Sequence, residues 1–164
     1  MGENDHVRLE EGGGFASMLA TEAVHYLPGT IAAEAFDEHG LGGRDTRRPY
    51  DDGALTLGHH GDEGIHVAWL KSGEWLAYET EVDGAGVYEL TARVAAAPAY
   101  GGGSFRVDCD GVDVGTVAFE PTDHWYDFRA VRIRVRLAAG ERTLKIVAEE
   151  GGWSLDRITI ERPA

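Results

Sequence analysis

Cysteine is nearly absent from this 164-residue chain, which contains only Cys109. A lone thiol excludes an internal disulfide framework and a cluster of thiolate metal ligands. Cys109 alternates with Phe105 and Val107, which assigns it to a core as a small hydrophobe. Lysine is scarce too, limited to Lys71 and Lys145, so exposed helices lose one of their usual building residues. Positive charge as a whole is short, 15 Lys and Arg against 29 Asp and Glu, for a formal net charge of -14. That balance repels nucleic acid, anionic membrane surfaces and acidic polysaccharides over a Debye length, whereas a neutral polymer is not penalised. No apolar run approaches the length of a membrane-spanning helix, and the first residues lack a basic n-region followed by an apolar h-region. Catalytic signatures are missing as well: there is no Gly-x-Ser-x-Gly elbow, no phosphate-binding loop and no His-Glu-x-x-His. A glycosidase would need two carboxylates flanking a cleft, and among so many acidic residues no pair stands out.

Glycine, by contrast, is abundant at 23 residues. Many glycines and few helix formers point to short strands joined by tight turns. With 43% apolar residues the chain suits one globular domain with a single core. Residues 1 to 13 are polar and acidic and read as a flexible lead-in. Phe15 to Tyr26 is compatible with a short helix, and Pro28-Gly29 then punctuates the chain. This divides it into an N-terminal extension over residues 1–27 and a main domain over residues 28–164. Asp37 to Asp62 has little apolar alternation and reads as a long loop region. After Glu63 the period is two. Leu76, Tyr78, Thr80 and Val82 oppose Trp75, Ala77, Glu79 and Glu81; Tyr88, Leu90, Ala92 and Val94 oppose Glu89, Thr91 and Arg93; Val131, Ile133, Val135 and Leu137 oppose Arg132, Arg134 and Arg136. Turn signals at Asp83-Gly84, Asp110-Gly111 and Ala139-Gly140 separate the runs. One wet face per strand predicts an all-β fold, a β-sandwich of two antiparallel sheets.

Two residues do not fit a plain core. Trp69, in Val67-Ala68-Trp69-Leu70, and Trp125, in Asp123-His124-Trp125-Tyr126, sit at strand ends or turns, where an indole is hardest to bury. A flat ligand face accounts for both, and a sugar ring offers one, with axial C–H bonds for the indole and hydroxyls for polar groups at the rim. The run Val67 to Tyr78, with Pro28-Gly29-Thr30-Ile31-Ala32-Ala33-Glu34-Ala35-Phe36-Asp37 before it and Gly151-Gly152-Trp153-Ser154-Leu155-Asp156-Arg157-Ile158 after it, resembles family 6 carbohydrate-binding modules. Ala85 to Ala95 links these motifs in the right order, and the resemblance extends from about residue 28 to the C-terminus. It implies a jelly roll of eight to ten strands and a non-catalytic, secreted, lectin-like module tethered to a glycoside hydrolase. The partner it implies is a neutral polysaccharide or oligosaccharide of the β-glucan, xylan or agarose type.

The resemblance also implies site residues. Trp69 and Trp125 match two aromatics that clamp a sugar ring at the loop end of the sandwich. Ser154 stands where relatives have an Asn that hydrogen-bonds the clamped sugar, and a hydroxyl offers fewer contacts than an amide. His59 and His60 stand where many relatives carry Tyr-Arg, and Asp45 or Tyr50 reaches the same rim. Glu34 and Asp156 match ligands of a structural calcium, a hard ion that seeks six to eight oxygens; Ala32 replaces a third. Both carboxylates fall on the apolar phase of their strands, which is costly without a partner. Trp75 and Asp108 match a second sugar site on the concave sheet face, with Val147 in the place of an assisting Lys. Two other readings remain: a structural or adhesion β-sandwich spacer with Trp69 and Trp125 buried, and a metal enzyme built on His59, His60, His66 and His124, whose spacing is not that of a tight ligand set.

Overall fold

The alternation of apolar and polar residues becomes two facing β-sheets in the computed structural model, which describes residues 6–9, 12–13, 24–40, 55–59 and 64–163. Sheet A runs β1 (His6–Leu9), β6 (Leu55–His59), β7 (Ile65–Leu70), β14 (Trp153–Glu161), β9 (Gly86–Ala95) and β12 (Arg129–Leu137), with β4 (Gly29–Ala32) also paired to β14. Sheet B runs β11 (Val112–Phe119), β10 (Gly103–Cys109), β13 (Gly140–Glu150), β8 (Trp75–Val82), β5 (Glu38–Gly40) and β2 (Gly12–Gly13), with β3 (His25–Leu27) also paired to β8. All pairings are antiparallel except that of β3 with β8.

The predicted inward phases are buried in β8 and β9, whereas in β12 Val135 and Leu137 are buried and Val131 and Ile133 half-buried. Leu76, Tyr78, Thr80 and Val82 are buried in β8, and Tyr88, Leu90, Ala92 and Val94 in β9. Each fully buried large apolar side chain contributes about 1.5–3 kcal/mol relative to exposure. Trp153 is completely buried, against Phe105 and Phe119, and its Nε1 donates to the Glu150 carbonyl at 2.7 Å. That bond removes the cost of hiding an indole N–H. Cys109 is a buried free thiol, as its alternation requires. The Asp110-Gly111 signal is a two-residue hairpin between β10 and β11, with φ of 52° and 83°. Both residues are left-handed, which matches the right-handed twist of the strands and favours Asp-Gly.

The outer faces differ in their balance of charge, though each carries both signs. On sheet A, Arg132, Arg134 and Arg136 of β12 are exposed, and Arg93 of β9 and Arg157 of β14 lie in the adjoining columns. Sheet B presents Glu79 and Glu81 from β8, with Glu141 of β13 opposite Glu81, and farther along β13 Glu149 paired with Arg106.

Several expectations, mostly at the N-terminal side, meet the structure differently. Residues 6–9 and 12–13, read as a lead-in, are strands that extend sheet A through β6 and sheet B through β5. The expected helix over Phe15 to Tyr26 lies outside the described residues up to position 23, and its end enters β3 instead. Within the long Asp37 to Asp62 loop, β5 and β6 form because each has a neighbouring strand to complete its backbone hydrogen bonds, a long-range effect that local composition does not register. The described residues form fourteen strand segments rather than eight to ten.

Candidate functional site

At one end of the sandwich the chain closes β7, opens β14 and passes from β11 to β12. Here Trp69 and Trp125 meet, their ring centroids 5.6 Å apart and their planes at 80°. Such an edge-to-face pair is favourable by about 0.5–1.5 kcal/mol beyond its buried area. The rings therefore touch in this structure rather than standing parallel with a gap the width of a sugar.

The local backbone explains where Trp69 points. Leu70 pairs with Trp153 and Val67 with Leu155, so Ala68 and Trp69 together oppose the single residue Ser154. The extra residue makes a β-bulge, and Trp69 takes φ = 50°, a left-handed conformation unusual for a bulky side chain. Its backbone N–H donates to Ser154 Oγ at 3.3 Å. Ser154 itself is only 1% exposed. The pleat of β14, hydrogen-bonded to both β7 and β9, carries this side chain inside, and its hydroxyl serves Trp69 in the free protein.

Trp125 sits on a loop tied at both ends. Thr122 is 5% exposed; its hydroxyl accepts from the Ala96 N–H at 2.9 Å and lies 3.1 Å from the His124 carbonyl. The Asp123 N–H donates to Asp127 Oδ2 at 3.0 Å, and the Tyr126 N–H to His124 Nδ1 at 3.1 Å. Arg129 reaches Asp127 at 2.6 Å and Asp123 at 3.1 Å. The Asp123 amide first and the Arg129 guanidinium second hold the Asp127 carboxyl below its usual range, while burial raises the Tyr126 phenol. Thr122 and Arg129 were not legible as site residues because their partners are set by the fold. Of the other rim residues, His59 pairs with Ile65 through its backbone in β6, whereas His60, Asp45 and Tyr50 lie outside the described residues. His66 is buried with its ring 5.3 Å from Phe128, and among the described residues no three His, Cys, Asp or Glu side chains form a metal cluster.

Glu34 and Asp156 do come together. Glu34 lies in the turn after β4 rather than on a strand, and Asp156 sits in β14 where its register with β9 shifts. The Ala33 N–H donates to the Asp156 carbonyl at 3.0 Å, which ties the turn to the strand. Burial pushes the Glu34 carboxyl up, the Glu34 backbone N–H opposes this, and the neighbouring Asp156 charge adds to the rise. Arg157 at 2.9 Å and Arg93 at 3.4 Å balance Asp156, whereas Glu34 Oε1 is buried without a hydrogen-bond partner. A buried acceptor of that kind suits a cation with oxygen ligands, so Glu34 and Asp156 fit the donor chemistry of calcium. Ala32 brings no side-chain oxygen.

On the outer face of sheet B, Lys145 places its ammonium 4.1 Å from the Trp75 ring centroid. Gly40 leaves room for the same indole: a Cβ there would lie 2.1 Å from Trp75 Nε1. Asp108 accepts from Arg106 at 2.8 and 3.2 Å, and Arg106 also reaches Glu149 at 2.6 Å. Val147 was read as standing in the place of an assisting Lys; Lys145, two residues earlier on the same strand phase, is in register with Asp108. At the opposite end of the sandwich, a hollow of about 490 Å³ is lined by Val112, Val114, Leu137, Cys109 and Arg136 among others. No aromatic ring lines it to receive a sugar.

The chain can be compared with known proteins on this geometry. The family model "Carbohydrate binding module (family 6)" matches residues 49–162. No curated protein sequence matches. Among solved structures, the chain is similar to the carbohydrate binding module of Cellvibrio mixtus lichenase 5A in complex with cellotriose, at 27% identity and a TM-score of 0.65, over 84% of this chain and 98% of that one. A β-1,3-glucan binding module of the family from Bacillus halodurans has the same fold, at 21% identity and a TM-score of 0.63, over 85% and 99% of the two chains. The fold also recurs in a glycoside hydrolase family 43 arabinoxylan arabinofuranohydrolase from Bacillus subtilis, at 18% identity and a TM-score of 0.64, where it spans 87% of this chain and 28% of that one. A model match over most of the chain, together with the same two-sheet architecture, places this protein in carbohydrate-binding module family 6.

Proposed function

We propose that the protein binds a neutral polysaccharide or oligosaccharide without catalysing its cleavage, through Trp69 and Trp125 at the loop end of the sandwich, and targets an attached glycoside hydrolase to it outside the cell. The observation that carries this reading is the convergence of two indoles on one end of the molecule from distant sequence positions, one on a bulge and one on a tied loop. Aromatic faces suit sugar C–H surfaces, and preorganised anchors lower the ordering cost of binding. Cellotriose bound to one relative and β-1,3-glucan binding by another support the ligand class. The family's occurrence as about a quarter of an arabinofuranohydrolase chain supports tethering, which raises the local substrate concentration. Because the free rings touch, a sugar stacks on one half-buried indole or parts the pair. Isothermal titration with β-glucan, xylan and agarose oligosaccharides tests this: Trp69→Ala and Trp125→Ala each weaken binding at least about tenfold, since an aromatic anchor is commonly worth 2 kcal/mol or more. Undiminished affinity in both variants would favour the structural-spacer reading, which the edge contact between the indoles also fits.

Two further parts of the reading concern other residues. Glu34 and Asp156 hold a structural calcium, supported by the unpartnered Glu34 oxygen; the ion supplies positive charge that lets the two carboxylates share one site. Trp75 and Asp108 form an auxiliary sugar contact in which Lys145 donates a hydrogen bond after leaving the indole face, supported by its place over the ring.

A further inference from the structure

Ser154 is the residue on which the aromatic end turns, for a reason unlike the one its sequence position suggests. Its hydroxyl lies within β14, 1% exposed, where a bound ligand would not reach it. What it does reach is the backbone N–H of Trp69, at 3.3 Å. That N–H belongs to the residue that pays for the bulge: at φ = 50°, Trp69 is one of two described non-glycine residues in the left-handed region. The other, Asp110, is relieved by its hairpin turn and by side-chain bonds to Thr143 and Arg142. Trp69 lies within a strand, where a left-handed backbone costs about 1–2 kcal/mol per residue. Such strain persists only where neighbours over-determine it, and it collects at functional positions. At this bulge the ladder cannot give every N–H a backbone carbonyl, because two residues face one. Ser154 fills that gap with the shortest side chain that carries an acceptor.

We infer that Ser154 is a positioning residue: its hydroxyl holds Trp69 in the left-handed bulge and thereby aims the indole at Trp125. The inference rests on the sugar-clamp reading for its consequence in binding, but the positioning is a property of the free protein. Replacing Ser154 acts on ligand through Trp69.

Two indoles at 5.6 Å couple their transitions, and the resulting exciton doublet in the far-ultraviolet circular dichroism of the unliganded protein reads the pair directly. A Trp125→Phe variant identifies the doublet by abolishing it. Ser154→Ala then loses most of the doublet and weakens glycan binding about fivefold, the effect of one net hydrogen bond. Ser154→Thr, which keeps the oxygen, restores the doublet in part. Weaker binding with an intact doublet would mean that Ser154 touches the sugar, and would overturn the inference. So would a fall in melting temperature alone, with doublet and affinity both unchanged. A lost doublet with unchanged affinity supports the positioning and instead removes the clamp from glycan binding. Should Ser154→Ala not fold, hydrogen exchange on the unaltered protein decides: a Trp69 amide exchanging as fast as an open one, beside a protected Leu70, overturns the proposed bond.

Discussion

Exchanging Glu34 for Gln should have opposite effects with and without calcium. In chelator, the unaltered protein buries a carboxylate oxygen with no donor and sets it beside Asp156. An unsatisfied buried acceptor costs about 1–3 kcal/mol; Glu34 is only partly buried, so the low end applies, about 1 kcal/mol. The uncharged amide relieves the repulsion and can donate toward Asp156, so Glu34→Gln gains that amount. For a chain of this length the gain is a rise in Tm of about 3 °C. With calcium at a hundred times its Kd, the unaltered protein is stabilised by about 2.7 kcal/mol, near 8 °C on the same scale. The variant, short of one ligand, gains much less. Melts followed by circular dichroism, at matched ionic strength with calcium or with chelator, give four values whose order should invert between conditions. Equal melting of the unaltered protein in both conditions would refute a calcium role for Glu34 and Asp156, and a variant less stable than the unaltered protein in chelator would refute the repulsion argument.

Other outcomes follow from the same geometry. Thr122→Val removes the acceptor of the buried Ala96 N–H and should lower stability by about 1–3 kcal/mol while loosening the Trp125 loop; a Tm and affinity like those of the unaltered protein would show that the tie is dispensable. Asp110 is held below the usual carboxylate range first by the Thr143 amide and then by Arg142, as Asp127 is by the Asp123 amide and Arg129. Both folded-state values are depressed, so these bonds are intact above the ordinary carboxylate value of about 3.9 and are lost as pH falls through the lower folded values. Amide chemical shifts of Thr143 and Asp123 in an acid titration check this, and a change centred at the ordinary value would contradict it. Lys145→Ala should expose Trp75 to acrylamide quenching, with Trp75→Phe as the control, and unchanged quenching would mean that the ammonium does not cover the ring.

The sandwich was legible because burial on one face of a strand writes itself into the sequence with a period of two, as in Trp75 to Val82 and Gly86 to Ala95. The N-terminal strands were not: Gly12 and Gly13 have no side chains to alternate, and their pairing with β5 is a long-range fact. At the site, Trp69 and Trp125 could be chosen because an indole at a strand end calls for a reason. Ser154 was also chosen, as a sugar contact and not for its bond to the Trp69 amide. Sequence position gives the residue and not the bulge, and the bulge decides that the hydroxyl faces the Trp69 amide. Glu34 and Asp156 were legible as costly carboxylates, whereas Arg93 and Arg157, which balance one of them, were fixed only by the register of β14 with β9.

Among the described residues, the arginines of β12 outside sheet A outnumber Glu89 and Glu161 there, and the glutamates outside sheet B outnumber Arg106 and Lys145, which sets up a charge asymmetry across the thickness of the sandwich. A negative net charge hides it from any argument that treats the protein as a point. Near a charged matrix at low ionic strength the molecule should turn before it is repelled, laying β12 and its arginines toward an anionic surface. The two broad faces then point toward and away from that surface, and the indole end faces sideways, parallel to it. In that attitude the aromatic end would sweep along a surface rather than strike it head-on, and added salt would release the orientation without touching the indoles.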